Sequence, residues 1–205
     1  MSHLVDAIEA EARGDLRGAA EHYRHLTESG SPLDRIGIYQ ALARCHEKTG
    51  DLKTAAEWRR KAGMGYTGLG DDAMARGERE YLALVEYRNA VQDVGSDMTA
   101  ARGLAREYSE VLARSLSEGA EGLTHEGLFA AAFFRALGDH RTAARYYFDA
   151  AEALSEQATE RGDLGLREAA AHAYERAMDC AQKSGNQQIA RVSEIRAFDL
   201  RQSPK

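Results

Sequence analysis

Proline is almost absent from this chain of 205 residues: Pro32 and Pro204 are all it has. A backbone so poor in helix breakers, and rich in Ala, Glu, Arg and Leu, is free to be helical along its whole length. Cysteine is as scarce. Cys45 and Cys180 stand far apart, which excludes a disulfide framework or a CxxC motif and leads us to expect a reducing, cytoplasmic compartment. Aromatic residues make up 7%, so a core must come from close packing of helices over small side chains. Lysine is rare. Of 27 basic residues 5 are Lys and 22 are Arg, a bias expected of a bacterial genome rich in G and C. No stretch is long and apolar enough to span a membrane, and the opening Met-Ser-His-Leu-Val-Asp lacks the pattern of a signal peptide, so membrane insertion is not expected.

What is present is charge and small apolar residues. Charged residues make up 29% and hydrophobic residues 43%, with a formal net charge of −6. That composition folds and stays in solution. The negative balance argues against a general binder of nucleic-acid phosphates.

A repeat organises the chain. Glycine followed by a small polar residue recurs at Gly14-Asp15, Gly50-Asp51, Gly95-Ser96, Gly138-Asp139 and Gly185-Asn186. Five residues after each glycine stands an alanine: Ala19, Ala55, Ala100, Ala143 and Ala190. Nine after come Tyr23, Arg59, Leu104, Tyr147 and Glu194. Seven before come Ala7, Ala43, Arg88, Ala131 and Met178. Each spacing has a physical reading. Glycine tolerates the left-handed conformation that ends a helix. The next residue caps the following helix by accepting backbone N–H bonds. The alanine one turn in lets two helices approach. The residue four further on fills the space beside it. The unit is helix, tight turn, helix.

The pattern Gly-Asp-x-x-x-Ala-x-x-x-Tyr, preceded by an aromatic-plus-small helix, resembles the tetratricopeptide repeat. Tyr39 through Leu42, Ala43, His46, Gly50-Asp51, Ala55 and Ala62 is the cleanest copy. The resemblance implies an all-α, right-handed superhelical solenoid of about five antiparallel helix hairpins. The glycines lie 36, 45, 43 and 47 residues apart, against a family period of about 34. Such stretched units are similar to SNAP-type adaptors of vesicle fusion and to bacterial peptide receptors. An alternative register at Gly165, giving Ala170, Tyr174 and Ala177, also works.

The spacing predicts helices over 2–13, 15–29, 32–49, 51–64, 71–94, 97–118, 123–137, 139–160, 163–184 and 186–202. Residues 1–202 read as one solenoid domain and 203–205 as a disordered tail. The last helix should cap it, with Ile189, Val192, Ile195 and Phe198 inward and Arg191, Arg196 and Arg201 toward water.

Motifs for chemistry are weak. Gly63-Met-Gly65-Tyr-Thr-Gly68 matches GxGxxG, but no strand precedes it, so an inter-hairpin loop or a frayed helix end is expected, with 63–72 acting as a hinge. The seven histidines form no HExxH or paired ExxH. His22 and His25 share a helix face and read as solvated, with a surface metal site the minority alternative. Cys45 and His46 are adjacent, and adjacent helical residues diverge, so no thiol–imidazole nucleophile is expected. Arg59-Arg60-Lys61 beside Trp58 reads as a solvated face that a partner's acidic segment could also use. In Tyr146-Tyr147-Phe148, Tyr147 belongs to the core by register, with Tyr146 or Phe148 touching a neighbouring hairpin. No metal, cofactor or catalytic set is expected.

In the family that the chain resembles, the first helix of each pair lines a concave groove. Carried over by register, that face holds Gln40, Arg44 and Glu47, then Val85, Asn89 and Gln92, then Leu128, Ala132 and Arg135, then Glu175, Asp179 and Gln182. Members that clamp the acidic tails of heat-shock chaperones use a Lys and an Asn one turn apart. Here Asn89 matches but Val85 replaces the Lys, so such tails are not expected to bind. The resemblance implies an adaptor that holds a partner protein or peptide. The alternative is a sensor of a short signalling peptide or small molecule in the same groove. Homo-oligomerisation stays open, and an enzyme is not expected.

Overall fold

The computed structural model describes residues 2–70, 73–74, 76–95, 97–117 and 124–202. Among the described residues it is all-α, with ten helices and no strand. In chain order these are α1 (Ser2–Ala12), α2 (Leu16–Arg24), α3 (Pro32–Lys48), α4 (Leu52–Thr67) and α5 (Arg76–Val94). There follow α6 (Met98–Ser117), α7 (Thr124–Ala136), α8 (His140–Arg161), α9 (Leu164–Lys183) and α10 (Gln187–Gln202). No described helix is long and apolar enough to cross a membrane. The tail 203–205 lies outside the described residues.

The punctuation works through backbone conformation. Gly14, Gly50, Gly95, Gly138 and Gly185 all have positive φ, between 51° and 82°. Asp15, Asp51 and Asp139 then accept a backbone N–H three residues on, satisfying an orphan donor of the new helix. Ala19, Ala55 and Ala143 are fully buried and Ala190 nearly so. The third copy slips by one residue. Its cap is Asp97, which accepts from Thr99 and Ala100, so the buried alanine is Ala101 and not Ala100. Another left-handed glycine, Gly162 with Asp163 as N-cap, separates α8 from α9. Before α3, Ser31 and Asp34 form a reciprocal capping box with Pro32 in the first turn.

Two expectations about elements are corrected. Residues 63–67 are helical and not a loop, since α4 runs to Thr67 and Gly68 caps it; of the supposed hinge, 71 and 72 lie outside the described residues. Close packing explains these glycines. A Cβ on Gly63 would stand 3.0 Å from the Tyr87 ring, and one on Gly65 would stand 2.6 Å from Ile36. The expected helix 15–29 is also shorter, ending at Arg24 before a run of turns.

The chain divides into two compact units, residues 1–118 and 119–205. In the first, each of α1 to α5 packs on the next in sequence. A core of Ala7, Ala10, Ala19, Ala20, Tyr23, Ala41, Leu42 and Cys45 joins α1, α2 and α3. In the second, α7 packs on α8, α8 on α9, and α10 on α9 with a smaller contact to α8. Ala151, Leu154, Ala170, Ala173, Tyr174 and Ala197 form its core, with Leu128 and Phe148 packed against them.

The last helix corrects a third expectation. Ala190, Ser193 and Ala197 face inward on α10. Val192, Ile195 and Phe198 are exposed, Phe198 at 61%, and Ile189 is partly buried. The alanine spacing five and twelve residues after Gly185 sets the buried stripe. Close approach of α9 selects small side chains there, so the larger residues are turned outward.

Candidate functional site

Arg59 stands eight residues after its cap Asp51, as Tyr23 stands after Asp15 and Tyr147 after Asp139. Tyr23 and Tyr147 fill core space at that position. A guanidinium placed there needs countercharge, because an unpaired buried charge is very costly. The neighbouring helices supply it. Arg59 donates from Nε to Asp93 on α5 at 2.7 Å and from Nη2 to Glu47 on α3. Its Nη1 lies 3.9 Å from Glu86 Oε2. The Arg59 side chain is 13% exposed.

Glu86 is the deepest acid of this cluster, 6% exposed. Gln40 on α3 donates its amide to Glu86 Oε1 at 2.8 Å and to the Tyr66 hydroxyl on α4 at 3.2 Å. Glu86 Oε2 has no hydrogen-bond partner. Burial pushes the Glu86 carboxyl up, against the pull of Gln40 and Arg59. Burial likewise raises Asp93, against its bond to Arg59. Three carboxylates thus face one guanidinium in the space between α3 and α5, floored by α4.

Next to this network, in the same unit, an apolar trough runs between α1 and α3 over α2. Its volume is about 640 Å³. Leu4 and Ile8 of α1, Tyr23 and Leu26 of α2, and Leu33, Gly37, Ile38 and Ala41 of α3 line it. Leu4, Ile8 and Leu33 are about half exposed. A Cβ on Gly37 would meet nothing within 4 Å. Arg44 closes one end and lies 3.9 Å from Glu11. Glu11 also accepts from the Tyr23 hydroxyl at 3.1 Å, and burial, helped by that bond, pushes the phenol up to about 12.

The sequence-predicted residues divide accordingly. Gln40 and Glu47 enter one network through Arg59 and Glu86, and Arg44 borders the trough. Val85 and Asn89 are partly buried and Gln92 is exposed on α5. In the second unit, Leu128 packs on the core and Arg135 is exposed. Glu175 pairs with Arg201 at 2.6 Å and with His172, and Asp179 pairs with Lys183 at 2.8 Å. Arg59-Arg60-Lys61 is not a free basic face. Arg59 is partly buried among acids, whereas Arg60 and Lys61 are exposed as a solvated face would be, Arg60 binding both oxygens of Glu107 at 2.8 Å and Lys61 lying 4.0 Å over the Trp58 ring. Both thiols are buried, and burial pushes both above the usual cysteine range, which keeps them protonated and unreactive.

Sequence reasoning missed Glu86, Asp93, Leu4 and Ile8 as site residues, and took Arg59 only as part of a basic face. The signals were there. An arginine at a tyrosine position calls for buried acids on adjacent helices. Leu4 and Ile8 stand ten and six residues before Gly14, the offsets that select Gln40 and Arg44 before Gly50.

No protein-family model and no curated protein matches the chain. Among solved structures it is similar to the crystal structure of BtubC (BKLC) from P. vanneervenii, at 17% identity and a TM-score of 0.52, covering 97% of this chain and 80% of that one. At that identity the likeness speaks to the helical fold alone.

Proposed function

We propose that the chain is a protein-interaction adaptor, a tetratricopeptide-like solenoid of about five helix hairpins, whose first unit holds a segment of a partner protein. The observation that carries this reading is the open trough between α1 and α3, an unfilled apolar surface beside a buried acidic network. Apolar side chains one helical turn apart on a partner would enter the trough, and the polar rim would fix their register. Of the acids around Arg59, Glu47 is the exposed one, so a basic side chain on the favoured segment would pair there. The repeating caps and buried alanines support the solenoid reading. The same trough volume falls within the roughly 300–1,000 Å³ of small-ligand pockets. That supports a second reading, a sensor of a short peptide or small molecule.

Gly37 provides the test. Gly37→Leu fills the trough from an open position, and removing a helical glycine favours the fold. Capture from lysate by the wild type, by Gly37→Leu and by Ile8→Glu should recover a partner with the wild type alone. Both variants should keep the wild-type far-ultraviolet spectrum. Equal recovery by all three contradicts the reading. If no protein is enriched but a peptide or metabolite library raises the wild-type melting temperature and not that of Gly37→Leu, the sensor reading replaces it.

A further inference from the structure

The turn at Gly14-Asp15 closes one end of the α1–α2 pair, and histidines gather at the other. His3 near the start of α1 and His22 in the last turn of α2 bring their Nδ1 atoms to 3.5 Å. Asp6 follows His3 by one turn of α1, and one ligand atom from each of the three lies within 4.8 Å of the others. The His25 ring stacks on that of His3 with centroids 4.9 Å apart and planes 26° from parallel. Asp6 and His22 are partly buried and His3 is exposed. Asp6 has no ion-pair partner among the described residues.

We propose that His3, Asp6 and His22 form a site for a divalent transition-metal ion of the zinc class. The distance supports it. A tetrahedral ion with bonds of ~2.0–2.1 Å holds two imidazole nitrogens about 3.3 Å apart, close to the 3.5 Å between these two. Two imidazoles and one carboxylate suit zinc, nickel or copper, whereas magnesium prefers a shell of oxygens. The fourth position is left to water or to a group on a partner. His22 sits at a helix C-terminus, where the dipole favours a cation. His25, stacked on the His3 ring, has a positioning role. The bound ion clamps the N-terminal turn of α1, which carries Leu4, to the end of α2. The site stands independently of the adaptor reading.

Titration calorimetry of the metal-free chain with Zn²⁺ tests this. One ion should bind per chain, and binding should raise the melting temperature, since the ion favours the folded state. His3→Ala and His22→Ala should each weaken binding roughly tenfold or more, Asp6→Asn less, and His25→Ala least, in line with removal of a supporting contact. Mg²⁺ should give no heat and no melting shift. Should either histidine variant unfold without metal, the other and Asp6→Asn decide. No Zn²⁺ uptake by the wild type overturns the proposal, and so does uptake unchanged in every variant.

Discussion

Arg59 and Tyr147 occupy the same step of the repeat in the two units, and their surroundings differ, although Arg176 lies 5.9 Å over the Tyr147 ring. Around Tyr147 the second unit buries rings and methyl groups: Tyr146, Tyr174, Ala143, Ala150 and Ala151 are all nearly inaccessible. Phe134 stacks on Tyr146 at 5.9 Å, and Phe148 meets Tyr174 edge-on at 5.6 Å. Around Arg59 the first unit buries carboxylates and an amide. The caps and the close-approach alanines are alike in both. The comparison teaches that the repeat frame fixes where helices turn and touch, while the residue four positions after the alanine is free to change the character of what lies beneath the surface. The second unit buries an acid as well, Glu126 on α7 at 3% exposed, but the first sets a guanidinium among its buried acids beside an open trough, which is why the candidate site is assigned there.

The largest effect should come from making the two positions alike. Arg59→Leu leaves Asp93 buried without its cation and Glu86 with Arg44 and Gln40 alone, and breaking such a pair costs about 3–5 kcal/mol. Urea unfolding followed by circular dichroism checks it, and a loss under 1 kcal/mol would mean that protonation or hydration already offsets the missing cation. Next comes the shared frame. Ala143→Leu in the second unit and Ala55→Leu in the first should each cost roughly 1–3 kcal/mol by overpacking. Melting unchanged in either variant would sink the assigned register.

The pH response sharpens the contrast further. Burial raises the Glu86 and Asp93 carboxyls above their ordinary range. Between the unfolded and the raised folded values, the folded state holds protons that the unfolded state has released. The contribution of these groups is therefore most favourable at low pH and declines as pH rises through that window. Glu86→Gln removes its share, so the stability of the variant relative to the wild type should grow from pH 4 to pH 8. A difference that is constant over that range contradicts the assignment of Glu86 as the strained acid. The smallest effect belongs to the outer face of α10. Phe198→Ser should shift stability by less than about 0.5 kcal/mol, since the ring already faces water. A loss of several times that amount would mean that the stripe is covered.

All ten helices were legible in the sequence because their ends are local events. A left-handed glycine followed by a capping acid, as at Gly50-Asp51 or Gly138-Asp139, specifies a boundary without reference to the rest of the chain. Errors arose where a nonlocal neighbour decided. Gly63 and Gly65 looked like a loop because glycine weakens a helix, yet Tyr87 and Ile36 press on that stretch and require the absence of a side chain. Val192, Ile195 and Phe198 looked like core because they are large, yet the space beside α9 admits alanine. The site was half legible. Register found Gln40, Arg44 and Glu47, which lie on or beside the network and the trough. It could not show that Glu175 and Asp179 pair with Arg201 and Lys183, because those pairings depend on side-chain reach.

Hydrogen–deuterium exchange of the chain alone and with its captured partner tests the central claim most directly. The account predicts new protection on α1 and α3 around Ile8 and Gly37, extending to α5 near Asn89, with exchange in the second unit unchanged. Protection confined to α7 to α10 would contradict the assignment of binding to the first unit.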